Sequence, residues 1–490
     1  MSARAVGPFV ELVGAPRVEA IVRLAEATNA LLQGRAVWNV NSTAAGGGVA
    51  EMLRALLRYC RGLGVDVRWA VLEGAPDFFV VTKRLHNALH DDPGDHGALA
   101  ANEREIYDRV TRENVAALTK LVRPEDILIC HDPQTAGLIA PLVAHGAHVV
   151  WRCHIGYEHP GRHVDQAWAF LRPYLEDVPV AVFSREAYAP AWLPRKRTVV
   201  LPPNIDPFSV KNEWIAAPSI SAILRQAGLV QGTPDADAAF FVRDDGSIGH
   251  VIRRADVVSD SGPPREDAPL VVQVSRWDRM KDHQGVLDAF ARLALQPEAI
   301  RAELVLAGPS VRGVADDPEG PQVFQEVEAA RRALPDEIRR RVHLVQLPME
   351  DVEENAAMVN ALQRHAAVIV QKSLREGFGL TVTEAMWKSR PVVASAVGGI
   401  QDQIRDGVEG LLVYEPRNAD ETATAIRRVL RDAPLATRLA EAGHERACRD
   451  YTSIASLERW AELLKLLMTS ATVAPTAEPA VARASHDVTP

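Results

Sequence analysis

Short apolar runs recur along the chain, each followed by an amphipathic stretch, and this rhythm predicts strands alternating with helices. The first run is AVWNV at 36–40. After it, Val49, Met52, Leu53, Leu56, Leu57 and Cys60 fall at the three-and-four spacing of one buried face, which predicts a helix over 49–61. Strands are expected next at 65–71, 126–130 (DILIC), 147–151 (AHVVW), 180–183 and 198–201, with helical sequence between them. The second half repeats the pattern more plainly. Runs at 270–274, 303–307, 342–347, 367–371, 391–396 and 410–414 alternate with helical patterns at 282–293, 323–333, 353–363 and 381–388. Runs apolar on both faces and separated by helices imply parallel strands covered on either side. Two such sets imply an α/β chain of two doubly wound, Rossmann-like domains facing a cleft.

The segment LPPNIDP at 201–207 holds three prolines in seven residues and predicts a stiff, non-helical join. The expected division is a first domain over 1–205, a second over 206–452, a docked helix over 453–469 and a disordered tail over 470–490. That tail is rich in Ala and Pro and has no aromatic residue with which to build a core. Residues 233–267, rich in Asp, Gly, Ser and Pro, are expected to form an irregular excursion before the second sheet. No fixed-period repeat is present, so a solenoid or propeller is not supported.

Charge narrows the partners. Lys plus Arg number 55 against 64 Asp plus Glu in 490 residues, a formal net charge of −9. That balance argues against general binding to nucleic acid or to an anionic membrane, yet leaves room for one small basic pocket. No stretch approaches eighteen consecutive apolar residues, and the N-terminus lacks an apolar signal core. Cys60, Cys130, Cys153 and Cys448 lie far apart without a CxxC pair, so neither a disulfide framework nor a structural zinc site is expected, and a reducing cytoplasm fits.

Three segments carry candidate chemistry. Between the first strand and its helix lie Asn41 and the run Gly46, Gly47 and Gly48. Successive glycines let backbone N–H groups approach an anion, and the helix N-terminus behind them adds partial positive charge. The alternative is a simple tight turn, since this is neither a Walker loop nor GxGxxG. After the first strand of the second half comes SRWDRMKD, with Ser275, Arg276 and Lys281; the two cations are placed to converge on one diphosphate, against the plainer reading of two solvated loop charges. The third segment, REGFGLTVTEA, follows the strand ending at Gln371. Glu376 lies in the loop before a helix and Glu384 about one turn inside it, with Gly377, Phe378, Gly379 and Leu380 at the turn; carboxylates at two depths of one cleft are good acceptors for sugar hydroxyls.

The stretch from Glu376 to Glu384 resembles the paired-glutamate signature of retaining, nucleotide-sugar-dependent glycosyltransferases of the two-Rossmann-domain, GT-B architecture. SRWDRMKD, the triple glycine and PVVASAVGGI at 391–400 match that family's elements in order, over roughly 36–451. WNVNST at 38–43, CHDPQ at 130–134 and WRCHIG at 151–156 are similar to the trehalose glycosyltransferring synthase group. Related sequences often carry an acidic residue near Gly156, a departure that bears on one acceptor or donor contact.

The resemblance implies transfer of glucose from an NDP-glucose donor to glucose, giving α,α-trehalose and NDP reversibly. The first domain would be the acceptor side and the second the nucleotide-sugar side. It further implies that Glu376 holds donor-sugar hydroxyls, Glu384 the ribose, and His154 the sugar's 6-hydroxyl. Arg276, Lys281 and the Gly47 and Gly48 amides would stabilise the departing phosphate. Phe378, Gly379 and Leu380 would offer backbone amides, and the loop at Gln346 and Leu347 would meet the base. Asn41, Asp132, Gln134 and Asn204 are candidate acceptor contacts. Trehalose phosphorylase, or a retaining hexosyltransferase of the same superfamily with another acceptor, is the alternative. An epimerase on the same architecture and a silent sugar-nucleotide-binding protein are the more distant readings.

Other signals carry little. Asp235 and Asp237 form a DxD triplet without a preceding nucleotide-binding strand, and His86 with His90 lacks the Glu of HExxH. No required cofactor and no metal site is expected, with metal stimulation left open. The partners are NDP-glucose, glucose and trehalose, with a homodimer left open.

Overall fold

A computed structural model of the chain describes residues 2–44, 47–296, 301–311 and 319–471. Fifteen strands are found among them. The first sheet holds β1 (Val37–Asn41), β2 (Val67–Val71), β3 (Ile127–His131), β4 (His148–Cys153), β5 (Val180–Phe183) and β6 (Thr198–Val200) in the order β2-β1-β3-β4-β5-β6. Every neighbouring pair in it is parallel. The order reverses between β1 and β3, where an open α/β sheet leaves a crevice beyond the strand ends.

The second sheet repeats this arrangement. It holds β9 (Asp256–Val258), β10 (Leu270–Val274), β11 (Glu303–Pro309), β12 (Val342–Leu347), β13 (Val368–Gln371), β14 (Val392–Ser395) and β15 (Leu411–Val413), in the order β15-β14-β13-β10-β11-β12-β9. Its switch point lies between β10 and β13. Both sheets are covered on two faces, as the apolar runs predict: β1 and β3 are buried throughout. The architecture is two Rossmann-like domains facing a cleft.

The expectation of an irregular excursion over 233–267 is corrected. That segment contains a hairpin of β7 (Phe240–Val242) and β8 (Ile248–His250) and then β9, which pairs antiparallel with β12 at the edge of the second sheet. Each hairpin strand is three residues long with only its middle residue buried, too short to show a period in the sequence.

The chain crosses between the domains twice. Ile205 N–H donates to Tyr451 O at 2.9 Å and Ser453 N–H to Ile205 O at 2.9 Å, so the proline-rich join and the return segment run side by side. The helix Ser453–Ala471 then docks on the N-terminal domain. Its Ile454, Leu457, Trp460, Leu463 and Leu464 share a core with Val37, Leu53, Leu57 and Ile127, and a fully buried side chain of this kind contributes about 1.5–3 kcal/mol. The tail is expected from 470, but 470 and 471 continue the helix, and residues from 472 onward lie outside the described residues.

Candidate active site

At the switch point of the C-terminal domain, the loops after β10 and β13 meet. Gln273 Nε2 donates to Lys281 O at 2.9 Å and Asp278 Oδ1 accepts Met280 N–H at 2.7 Å, which folds the 275–282 loop into a compact turn. Lys281 Nζ lies 2.5 Å from Glu376 Oε2, and Ser373 Oγ donates to the same oxygen at 3.1 Å. Behind this pair the buried Lys372 is ion-paired with Asp282, which also caps the helix His283–Ala294. Arg276 is half exposed, 3.4 Å from Asp278, and Ser275 Oγ lies 3.0 Å from His283 Nε2. Gly379, at φ 87° and ψ 57°, turns the chain into the helix Leu380–Trp387, a left-handed conformation that L side chains disfavour.

The helix Gly47–Gly62 of the N-terminal domain points its start at the same place. A Cβ on Gly48 would sit 3.5 Å from Leu380 Cδ1, so two helix N-termini from different domains converge beside Lys281 and Glu376. Two dipole ends and a lysine, with the Glu376 carboxylate between them, give this place the elements of an anion site. Gly46 lies outside the described residues. Asn41 shapes this loop rather than facing a ligand: its Oδ1 accepts from Trp69 Nε1 and its Nδ2 donates to Thr43 O, both at 2.7 Å.

The switch point of the N-terminal domain is built differently. Asn39, His131, Arg152 and His154 lie on one sheet face, and the two imidazoles stack with centroids 5.4 Å apart. His131 Nδ1 lies 3.1 Å from His154 Nε2, and His131 Nε2 lies 3.1 Å from Asn39 Oδ1. Burial, reinforced by the charge of Arg152, holds both histidines well below the usual imidazole pKa. Asp132 follows β3 at φ 63° and ψ 176°, a conformation that side chains rarely adopt, and its Oδ1 accepts His154 N–H at 2.7 Å. Burial pushes the Asp132 carboxyl up to about 7, the His154 hydrogen bond working against it. Gln134 carries a buried Oε1 with no partner.

Side chains that the sequence reading did not single out join the domains along one rim. Tyr188 OH donates to Gly377 O at 2.6 Å and lies 3.1 Å from Glu376 O. Glu158 accepts Gly398 N–H at 2.7 Å, Arg185 pairs with Asp402 at 2.7 Å, and Arg375 Nη1 donates to His90 O at 2.6 Å. A Cβ at Gly156 would sit 2.2 Å from Tyr188 Cγ. At position 156 itself Tyr188 leaves no room for a side chain, and the acidic residue near it, Glu158, reaches the C-terminal domain at Gly398 instead.

Four further expected site residues sit less simply. Glu384 is buried, with Oε1 2.7 Å from Lys211 Nζ and Oε2 3.4 Å from Gln363 Nε2. Burial works to raise its pKa, but the Lys211 ammonium, helped by Lys388, outweighs it and holds the carboxyl below its ordinary value. Leu347 has its side chain in the core, and its carbonyl already accepts Ser310 N–H at 2.8 Å. Phe378 is buried, its carbonyl accepting from Gln403 Nε2 at 2.5 Å. Asn204 belongs to the chain crossing: its Nδ2 donates to Ser453 Oγ at 3.2 Å. Among the described residues no group of three or more His, Cys, Asp or Glu is arranged to hold a metal ion, and no helix is long and apolar enough to cross a membrane.

Two facing Rossmann-like sheets with this cleft define a glycosyltransferase of the GT-B class. Residues 39–190 match the family described as trehalose synthase, N-terminal domain, and residues 256–446 match glycosyl transferases group 1. The chain is 33% identical over 459 residues to a trehalose synthase of Pyrococcus horikoshii, covering 94% of this chain and 95% of that one. It is 35% identical to a trehalose synthase of Rubrobacter xylanophilus over 84% and 86% of the two chains. A trehalose phosphorylase of Pleurotus pulmonarius is 24% identical over 92% of this chain and 59% of its own. Among solved structures, an α,α-trehalose-phosphate synthase (UDP-forming) from Burkholderia vietnamiensis is similar with TM-score 0.64 and 17% identity, over 88% and 98% of the chains. An Anabaena protein in complex with UDP and glucose has TM-score 0.58 and 14% identity over 88% and 100%. The chain belongs to the trehalose synthase family and is a hexosyltransferase of trehalose-related glycosyl transfer.

Proposed function

We propose that the protein transfers glucose, with retention at the anomeric carbon, from a nucleoside diphosphate glucose to glucose, giving α,α-trehalose and the nucleoside diphosphate, reversibly. The observation that carries this reading is the convergence of the Gly47–Gly62 and Leu380–Trp387 N-termini on the Lys281–Glu376 pair. A diphosphate suits that place, with Lys281, Arg276 and the amides at the starts of both helices as donors. The bond from the anomeric carbon to the phosphate oxygen breaks on the face where the acceptor oxygen attacks. The acceptor's proton passes to the departing phosphate, so no protein base is needed. Charge grows on that phosphate in the transition state, where preorganised donors act most strongly.

In this reading Glu376, held by Lys281 and Ser373, meets donor-sugar hydroxyls, and the His154 imidazole meets the 6-hydroxyl. Glu384 takes the ribose, with Lys211 as its countercharge. Asp132 and Gln134, beyond β3, stand on the acceptor side. The Tyr188 and Glu158 rim closes over the reacting bond and excludes water, favouring transfer over hydrolysis.

The test is a donor screen with glucose as acceptor and NMR analysis of the product. The expected result is α,α-trehalose from at least one of the UDP-, ADP- and GDP-glucoses. Cleavage of trehalose sustained by inorganic phosphate alone, with no nucleotide, would overturn the reading in favour of a phosphorylase, the activity named for the Pleurotus relative.

A further inference from the structure

The N-terminal side of the cleft holds a chain of three groups whose hydrogen-bond polarity can be worked out from its buried end. Asn39, 3% exposed in the middle of β1, presents Oδ1 to His131 Nε2 at 3.1 Å. A carbonyl oxygen has no hydrogen to give, so His131 Nε2 must carry the proton. A neutral imidazole has only one, which leaves His131 Nδ1 as a bare acceptor. His154 Nε2 lies 3.1 Å from that lone pair and must therefore be the donor. The same count leaves His154 Nδ1 bare. His131 is 1% exposed, Arg152 is its register partner on β4, and the Asp132 carboxylate is engaged with His154 N–H rather than with either ring. No carboxylate among the described residues bonds either imidazole, so the neutral count holds for both.

We propose that Asn39, acting through His131, is a positioning residue that fixes the tautomer of His154, so that this ring offers the cleft a hydrogen-bond acceptor and not a donor. The proposal rests on the reading of His154 as the partner of the donor sugar's 6-hydroxyl, and it sharpens the substrate class. An acceptor nitrogen binds a hydroxyl, which can donate. It leaves a carboxylate unpaired, so hexosyl donors with a 6-hydroxymethyl group are accepted and uronosyl donors are refused. The loop that would carry the sugar stands beside it: a Cβ on Gly377 would lie 3.3 Å from His154 O.

The direct test is nitrogen-15 NMR of the histidine-labelled enzyme, with His154→Gln identifying the His154 signals. An unprotonated, pyridine-type Nδ1 on His154 supports the proposal, and a protonated Nδ1 overturns it. Asn39→Leu is expected to lose the fixed tautomer and about tenfold in kcat/KM, the size of one hydrogen bond. The loss should vanish when the nucleoside diphosphate glucose is replaced by its 6-deoxy counterpart. An equal loss with both donors would mean that Asn39 acts on folding alone and would overturn the proposal. If the wild-type enzyme uses both donors equally well, the placement of the 6-hydroxyl fails while the NMR result still decides the tautomer.

Discussion

The two switch points of this molecule share a topology and differ in chemistry. In the C-terminal domain the strand ends hold fixed charges in pairs, Lys281 with Glu376 and Lys372 with Asp282. In the N-terminal domain the equivalent strand ends hold imidazole and amide groups with the Asp132 carboxyl, and Arg152, buried among them, has its pKa lowered by burial to about 10. Paired charges can exchange partners with an incoming diphosphate at little desolvation cost. A buried network of imidazoles and amides can match the donors and acceptors of a sugar hydroxyl by hydroxyl. The fold supplies two crevices, and the residues at the strand ends give them different chemistry.

The comparison breaks most sharply on the charged side. Glu376→Ala is expected to lower transfer roughly 10²–10³-fold with an unchanged melting temperature, because the residue lies in a loop that the core does not need. Near-wild-type turnover in a folded variant would remove the charged site from the reaction. The rim comes next. Tyr188→Phe deletes the hydroxyl on the Glu376 and Gly377 carbonyls, and a loss of about tenfold in kcat with a smaller change in KM is expected; a pure KM effect would make the rim a binding surface only. Salt separates the two sides more gently. Raising ionic strength should raise the donor KM, since exposed charge attraction is screened, and leave the glucose KM nearly flat. Equal sensitivity of the two constants would erase the distinction drawn here.

A test of stability rather than rate concerns Asp132. Its carboxyl titrates near 7 in the folded chain, against about 3.9 when unfolded. Between those values the folded chain keeps a proton that the unfolded chain has lost, so this group's contribution to stability falls as pH rises through that window. Asp132→Asn should therefore raise the melting temperature at about pH 8 and change it little at about pH 4.5. The opposite ordering would show that Asp132 is ionised and stabilising.

Much of this was legible because the strands are buried on both faces. The runs at 180–183, 270–274 and 342–347 coincide with β5, β10 and β12, where apolar length alone marks the strand. The three-residue strands of the 233–267 segment have no such signal. At the site, the glycine turns and the residues flanking them are local in sequence, so Lys281, Glu376 and Gly48 could be expected together. Tyr188, Glu158 and Arg185 could not, since each acquires its meaning only when the opposite domain arrives, and Lys211 meets Glu384 only once their own domain has folded. Asn39 left a trace: a polar residue inside an otherwise apolar strand such as VWNVN is a signal that something beyond packing holds it. Asn204 misled because polarity near a proline-rich join can serve the join itself.

The second chain crossing has a consequence for how the protein is made. The helix Ser453–Ala471 completes the core around Val37, Leu53 and Ile127, so the domain synthesised first cannot be finished until nearly the last described residue has left the ribosome. The C-terminal domain can assemble in the meantime, although it is translated second. A nascent chain halted before Ser453 would carry a C-terminal domain tethered to an unsealed partner, and its vulnerability to proteolysis would lie at the older end.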